Sequence, residues 1–270
     1  MQKRILEGRV ALVTGAGRGL GRAFAERLAS LGCHVAVHGM REHGPSEYGG
    51  TETLTDVVKA TADRHGVRTV KVLADLTVME DVARTVREAE AALGPLGILV
   101  HNAGGDIAAA GGKPDPNDVV NIKSEDVRAV IDRNLLSTIF VCQEVARGMM
   151  ERRTGRIITI GSVAAFKGRT HASIYATAKA GALHFTRCLA DQMRTYNVAV
   201  NCIAPGDTRT ERFVATRVVD PERLATEGTL DRIATVDEVA RVVEFLAGPM
   251  GEFVSGQVIR VDGGGQIWPA

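Results

Sequence analysis

Tyr175 and Lys179 stand four residues apart in Tyr-Ala-Thr-Ala-Lys, and Ser162 precedes the tyrosine by thirteen residues. Residues i and i+4 share one helix face, so this spacing makes a phenol and an ammonium neighbours. A tyrosine titrates near pH ~10 and is a poor base at neutral pH. An adjacent positive charge favours the phenolate, so Lys179 is expected to lower the pKa of Tyr175 into range for proton transfer. Ser162 ends the strand-like run Arg-Ile-Ile-Thr-Ile-Gly-Ser and offers a hydroxyl to the same oxygen that the tyrosine would protonate. Together the three make an acid/base device. Singly, each has an ordinary reading: a surface helix pair for Tyr-x-x-x-Lys, a turn or cap for the serine.

Such a device needs a strand and a helix to hold it. Arg9-Val-Ala-Leu-Val-Thr14 is a short β-branched run that predicts a buried strand. It leads into Gly15-Ala-Gly-Arg-Gly19-Leu-Gly21 and then the helical pattern Leu20, Phe24, Leu28, Leu31. Glycines at that junction allow a sharp turn and close approach to the backbone, and the helix N-terminus favours an anionic phosphate. The fingerprint G-x-G-x-x-G does not fit, because position 20 is Leu; the fit is Thr-Gly-x-x-x-Gly-x-Gly through Thr14, Gly15, Gly19 and Gly21. Further strands are expected at 34–38, 69–74, 97–101, 156–160, 198–203 and 258–261, with helices at 51–65, 79–93, 125–151, 174–196 and 236–246. Thr235 and Glu238 read as a capping box opening the last helix. The alternation predicts one α/β domain over residues 1–270: a Rossmann-type doubly wound parallel sheet of about seven strands with helices on both faces. Ligands collect at the carboxyl ends of such strands. Gly15, Gly39, Asp75, Asn102, Ser162 and Pro205 all follow predicted strands and so share one sheet edge. Two longer stretches, 41–50 and 106–123, start at that edge, either rimming a site or running as solvated loops.

These motifs, in this order, resemble the short-chain dehydrogenase/reductase family of the Tyr-x-x-x-Lys type over nearly the whole chain. They are Thr14 to Gly21, Asp75-Leu76, Asn102-Ala103-Gly104, Asn134, Ser162, Tyr175 with Lys179, Pro205-Gly206 and Val261-Asp262-Gly263-Gly264. The resemblance implies a nicotinamide dinucleotide whose pyrophosphate is wrapped by Thr14, Gly15, Gly17, Arg18, Gly19, Leu20 and Gly21. Asp75 and Leu76 would meet the adenine, and Asn102, Ala103 and Gly104 the adenosine ribose and nearby backbone. Tyr175 would be the general acid/base. Lys179 would lower its pKa and bond the nicotinamide ribose, and Ser162 would fix the substrate oxygen. Asn134 would hold a water linking Lys179 to solvent, although alone it reads as a polar packing residue or a local bend in a long helix. Pro205-Gly206 would turn the chain beneath the nicotinamide, with Thr208 and Thr210 at its carboxamide or the phosphates. Residues 207–235 would close over the substrate, and no metal is needed. Family members pair through the helices holding Asn134 and Tyr175 and again through the last helix and strand, which implies a homotetramer or a homodimer.

An acidic residue at the end of the second strand normally holds the ribose hydroxyls in NAD users. Gly39 stands there in Val37-His38-Gly39-Met40-Arg41, while Arg18 and Arg41 are placed to meet a 2′-phosphate. This favours NADP(H) and leaves NAD(H) open.

Composition narrows the rest. The 270 residues carry 33 basic against 32 acidic side chains, which gives no electrostatic case for nucleic acid as a partner. No apolar run of spanning length and no signal peptide are seen, so a soluble cytoplasmic protein with no membrane partner is expected. Cys33, Cys142, Cys188 and Cys202 lack metal-like spacing, and Cys33, Cys188 and Cys202 read as small buried hydrophobes. With 4% aromatic residues and Trp268 as the sole tryptophan, a flat apolar pocket is less favoured than a polar one. The segment 207–235 is strongly charged, through Arg209, Glu211, Arg212, Arg217, Asp220, Glu222 and Arg223, and reads as a solvated helical lid or as arginines meeting an anionic or hydroxyl-rich substrate. The expected function is oxidoreduction of a small secondary alcohol or ketone, with a sugar-like or polyhydroxylated substrate preferred. A 3-oxoacyl thioester reductase is the first alternative, its carrier met by exposed residues such as Arg128, Arg133 or Arg169. A catalytically silent dinucleotide-binding regulator is the second.

Overall fold

Short β-branched runs alternate with amphipathic stretches, and in the computed structural model, which describes residues 4–225 and 227–267, each kind finds its own layer. Strands β1 (Val10–Thr14), β2 (His34–Gly39), β3 (Thr69–Leu73), β4 (Ile98–His101), β5 (Gly155–Ile160), β6 (Val198–Pro205) and β7 (Val258–Val261) form one parallel sheet in the order β3-β2-β1-β4-β5-β6-β7. The order reverses between β1 and β4, which opens a crevice at their carboxyl ends. Helices α1 (Gly19–Ser30), α2 (Leu54–His65) and α8 (Val236–Ala247) cover one face; α3 (Met79–Leu93), α5 (Ser137–Arg152) and α6 (Ser173–Met193) cover the other. Side chains alternate between the two resulting cores: Ala11 and Val13 of β1 pack beneath α1, and Val10 and Leu12 pack beneath α3 and α5. Burial on both faces is why the central strands read as unbroken apolar runs.

Several expectations are corrected. The second helix starts at Leu54 rather than at 51, because Thr53 and Asp56 close a capping box there. The stretch 125–151 is not one helix: α4 (Ser124–Ile131) passes through a π-helical turn, Asp132–Leu136, into α5. The segment 207–235 holds only the short helix α7 (Glu211–Ala215) and a 3-10 turn, Pro221–Leu224. The capping box of Thr235 and Glu238 is present at α8. Cys188 is exposed, since it lies on the opposite side of α6 from Thr186 and Leu189. Cys33 and Cys142 are buried, which pushes both thiols up to about 12. Trp268 lies outside the described residues. Among the described residues no helix is long and apolar enough to cross a membrane, and no group of three metal-ligating side chains occurs.

Candidate functional site

The turn from β1 into α1 is left-handed at Gly15 (φ 61°) and Gly19 (φ 52°), a region that side chains with a Cβ rarely adopt. A Cβ at Gly21 would collide with Gly15 O, so the turn closes only around glycine there. Arg18, the N-cap of α1, makes no side-chain cap bond, and the first amides of the helix face the crevice as an anion site. Thr14 ties this turn to the end of β4. Its Oγ1 accepts the N–H groups of Asn102 and Ala103, each at 3.0 Å, and shares a hydrogen bond with Nδ1 of His101 at 3.1 Å. Asn102 in turn donates to Gly15 O at 3.1 Å.

Two buried histidines that the sequence reading passed over complete this floor. His38 Nδ1 accepts from Gly15 N–H at 3.2 Å, and its Nε2–H donates to Ala74 O at 3.1 Å. Burial pushes His38 down to about 4 and His101 to about 3, the latter helped by the Lys179 charge, so both are neutral at pH 7. The available signal was a polar ring ending each of two apolar strands, Ala-Val-His38 and Leu-Val-His101.

Above the floor lies a cleft of about 480 Å³. Of the expected ligand residues, Gly15, Gly17, Arg18, Gly19, Leu20, Arg41, Asp75, Leu76, Asn102, Ala103, Gly104 and Thr210 line it. Thr14 and Gly21 lie beneath. Gly39 is covered by Leu54, whose Cδ2 would stand 2.8 Å from a Cβ there, so an acidic side chain at this position would have to displace the leucine tip. The 41–50 stretch folds over the Gly-rich turn. Arg18 Nη2 pairs with Glu47 Oε2 at 2.8 Å, its guanidinium lies 4.4 Å from the Tyr48 ring centre, and Nη1 is buried without a partner. Glu47 and Tyr48 also line the cleft and were not singled out from the sequence.

Ser162, Tyr175, Lys179, Asn134, Pro205, Gly206 and Thr208 are not part of the cleft wall. Ser162 caps the 3-10 turn Val163–Phe166, accepting Ala164 N–H at 3.1 Å, and its hydroxyl acts to lower the pKa of the half-buried Tyr175. Lys179 Nζ sits 5.8 Å from the Tyr175 ring centre and donates to Ile160 O at 2.7 Å. The expected lowering of the tyrosine is not met. Burial pushes Tyr175 up, opposed by Ser162, Arg212 and Arg217 and reinforced by Asp106. Lys179 is itself pushed down to about 8 by burial, which weakens the charge it was expected to supply.

Asn134 sits in the π turn, fully buried. The π turn bonds Ser137 N–H to Asp132 O, while the hydroxyls of Ser137 and Thr138 take Arg133 O and Asn134 O. The Asn134 amide donates to Gly105 O and Val130 O and accepts Gly105 N–H, all at 2.8 Å. Both amide hydrogens are therefore engaged by backbone, and the residue fixes the Gly104–Gly105 turn. Arg133, expected to be exposed, is turned inward, donating to Ile107 O and Ala108 O.

Gly206 N–H bonds Val261 O, Thr208 is buried with its hydroxyl on Gly206 O, and Thr210 caps α7. The start of the 207–235 segment is latched to the 106–123 stretch: Arg212 donates to Asp106 O at 2.8 Å and Lys113 to Thr216 O at 3.3 Å.

Comparison with known proteins agrees with this geometry. A family model described as short chain dehydrogenase matches residues 9–218. The chain is 36% identical to cyclohexanol dehydrogenase of Rhodococcus sp. (strain TK6), over 96% of each chain. It is 33% identical to a 3-oxoacyl-acyl-carrier-protein reductase of Escherichia coli (strain K12), over 96% of this chain and 97% of that one. A solved 7α-hydroxysteroid dehydrogenase, complexed with NADH and 7-oxo glycochenodeoxycholic acid, superposes with a TM-score of 0.81 at 29% identity, covering 97% of this chain and 96% of that one.

Proposed function

The chain belongs to the short-chain dehydrogenase family, and from that premise we propose that it oxidises or reduces a small, polyhydroxylated secondary alcohol or ketone with NADP(H). As a member it is an NAD(P)-dependent oxidoreductase acting on CH–OH groups. The observation that carries the mechanism is the Lys179 ammonium, anchored on Ile160 O and 5.8 Å from the Tyr175 ring centre, on a helix that starts just after the Ser162 turn. When bound, the nicotinamide dinucleotide supplies or accepts the hydride; the amides after Gly15 together with Asp75, Asn102 and Thr210 would hold it. Tyr175 moves the proton. Its burial keeps the phenol protonated at neutral pH, the form that donates to a ketone oxygen, while alcohol oxidation needs the phenolate. Ser162 orients that oxygen. Lys179, anchored on Ile160 O, presents its ammonium beside Tyr175 and would bond the nicotinamide ribose. Asn134 acts through the turn it holds.

NADP is favoured because Arg18 Nη1 is buried without a partner where Gly39 leaves no acid, and Arg41 lies exposed on the same wall. Glu47, a carboxylate on that wall, favours NAD instead, as does the NADH complex of the solved hydroxysteroid dehydrogenase. The polar substrate is supported by Asp106 and Arg212 near Tyr175. A 3-oxoacyl thioester reductase remains the second reading, supported by the E. coli relative and by exposed Arg128 and Arg169. Residues 1–270 act as one catalytic unit in which 207–235 closes over the substrate. Assembly is a homotetramer, supported by the exposed Met250 and Phe253 between α8 and β7.

The test is calorimetric titration of NADP⁺ and NAD⁺ into the protein, followed by turnover of secondary alcohols by Tyr175→Phe. NADP⁺ binds more tightly, and the variant loses activity by about 10²–10⁴-fold while keeping cofactor affinity. Binding of neither dinucleotide, or activity surviving in the variant, overturns the reading in favour of a silent binder or another acid/base group.

A further inference from the structure

Two backbone segments that line the cleft are joined by a single side chain. The Gly-rich turn forms one side, and Ala74-Asp75-Leu76, just past the end of β3, forms another. The sheet ladder does not reach either of them: β1 pairs with β2 as far as Val37, and β2 with β3 as far as Gly39. Beyond those points the His38 imidazole continues the connection. Its Nδ1 accepts Gly15 N–H at 3.2 Å, and its Nε2–H donates to Ala74 O at 3.1 Å. The His38 carbonyl also takes the next amide of the turn, Ala16 N–H, at 2.8 Å. One residue therefore holds two consecutive peptides of the turn and, across its ring, the peptide that leads into Asp75. The ring is only 3% exposed yet forms part of the cleft lining, and both of its nitrogens are already engaged by backbone. Buried and neutral at pH 7, it has no charge to offer a phosphate.

Building on the dinucleotide reading above, we propose that His38 is the positioning residue for the adenosine half of the cofactor. The ring sets the distance between the Gly-rich turn and Asp75-Leu76, and so the width of the slot that the adenosine enters. A slot already held at its working width spares the ligand the cost of ordering it. His38 takes no part in proton or hydride transfer. It acts on the half that NADP and NAD have in common, so it does not choose between them; that choice stays with the wall carrying Arg18 and Glu47.

The experiment compares the wild type with His38→Asn, His38→Gln and His38→Leu. Binding of NADP⁺, NAD⁺ and ADP-ribose, which lacks the nicotinamide, is measured by calorimetry. Cofactor KM and kcat are measured with a secondary alcohol that the wild type turns over. Asn carries its amide near the place of Nδ1 and keeps an acceptor for Gly15; Gln reaches the place of Nε2 and keeps a donor for Ala74 O; Leu keeps neither. His38→Leu weakens all three ligands about tenfold or more and raises the cofactor KM to match, while kcat at saturation stays within about twofold. The Asn and Gln variants each recover part of that loss. Should the Leu variant fail to fold, these two decide alone, each weakening ADP-ribose about threefold or more. A lower unfolding midpoint with unchanged affinity overturns the proposal in favour of a purely structural histidine. A loss confined to NADP⁺ overturns it in favour of a 2′-phosphate ligand, and a fall in kcat with KM unchanged in favour of a role in the chemistry. If the wild type binds the dinucleotides and every variant matches it, this proposal falls and the oxidoreductase reading stands. Binding of neither dinucleotide by the wild type removes the reading beneath both.

Discussion

At the Tyr175 end of the cleft the polar groups are fixed by backbone: Lys179 on Ile160 O, Ser162 on Ala164 N–H, Asn134 on the Gly105 peptide. At the Arg18 end they are fixed by other side chains, the guanidinium lying between the Glu47 carboxylate and the Tyr48 ring on a surface loop. The first arrangement is set by strand ends and helix register and does not change without changing the fold. The second depends on an ion pair half open to water, with side-chain exposures of 24% and 54%, which contributes little stability and rearranges readily. Chemistry is thus placed where geometry is held by secondary structure, and cofactor choice where a loop can retune it. The two histidines of the floor lie under both ends.

Three experiments separate these ends. Asn134→Ala should be the most damaging, because it leaves the N–H and C=O of Gly105 and the C=O of Val130 without their partner. A loss of about 2–4 kcal/mol is expected in denaturant unfolding, with turnover falling alongside. A loss under about 1 kcal/mol would mean that the Tyr175 end is no more rigidly held than the loop. His101→Asn probes the shared floor through pH. The folded histidines titrate near 3 and 4, below the unfolded value of 6.5, so the unfolded chain binds more protons as pH falls below 6.5. Stability contributed by the two neutral rings is present above pH 6.5 and is lost as pH falls toward 4, at up to about 1.4 kcal/mol per pH unit for each ring. The variant should lose stability less steeply over that window by roughly one ring's share. Unfolding curves at pH 6.5, 5.5 and 4.5 read this directly, and parallel slopes for the two proteins would refute it. Glu47→Gln is the mildest. Freed from its carboxylate, Arg18 should bind NADP⁺ about two- to fivefold more tightly, with folding stability almost unchanged. Tighter NAD⁺ binding instead would show that Glu47 repels the ribose rather than competing with a phosphate.

Much of this was legible in the chain because it is local. The glycines at 15, 19 and 21, the four-residue step from Tyr175 to Lys179 and the caps at Thr235 and Glu238 all act within one or two turns of backbone. The parallel sheet with helices on both faces followed from alternation of strand and helix. What could not be read depends on partners distant in sequence. The neutral state of His101 comes from burial at the end of β4 and from the charge of Lys179 on α6, a strand and a helix far apart in the chain. The upward shift of Tyr175 and the weakening of Lys179 come from burial among elements drawn from the whole chain. Arg133 looked like a surface charge until the 106–123 stretch supplied carbonyls to receive it. Arg18 looked like a free cation until Glu47, 29 residues on, folded back over it.

The π turn at Asp132–Leu136 has a consequence for how such a site is acquired. On either side of it, Val130 of α4 and Val141, Val145 and Met149 of α5 remain fully packed. A bulge is one residue inserted into a helix and absorbed where it occurs, leaving the register of both flanks intact. In evolutionary terms the fold can admit an inward-facing amide at Asn134 in a single step, without compensating changes elsewhere in the core. A deletion in the same turn would withdraw the amide again and leave the N–H and C=O of Gly105 without their partner, so the gain is simpler to make than to reverse.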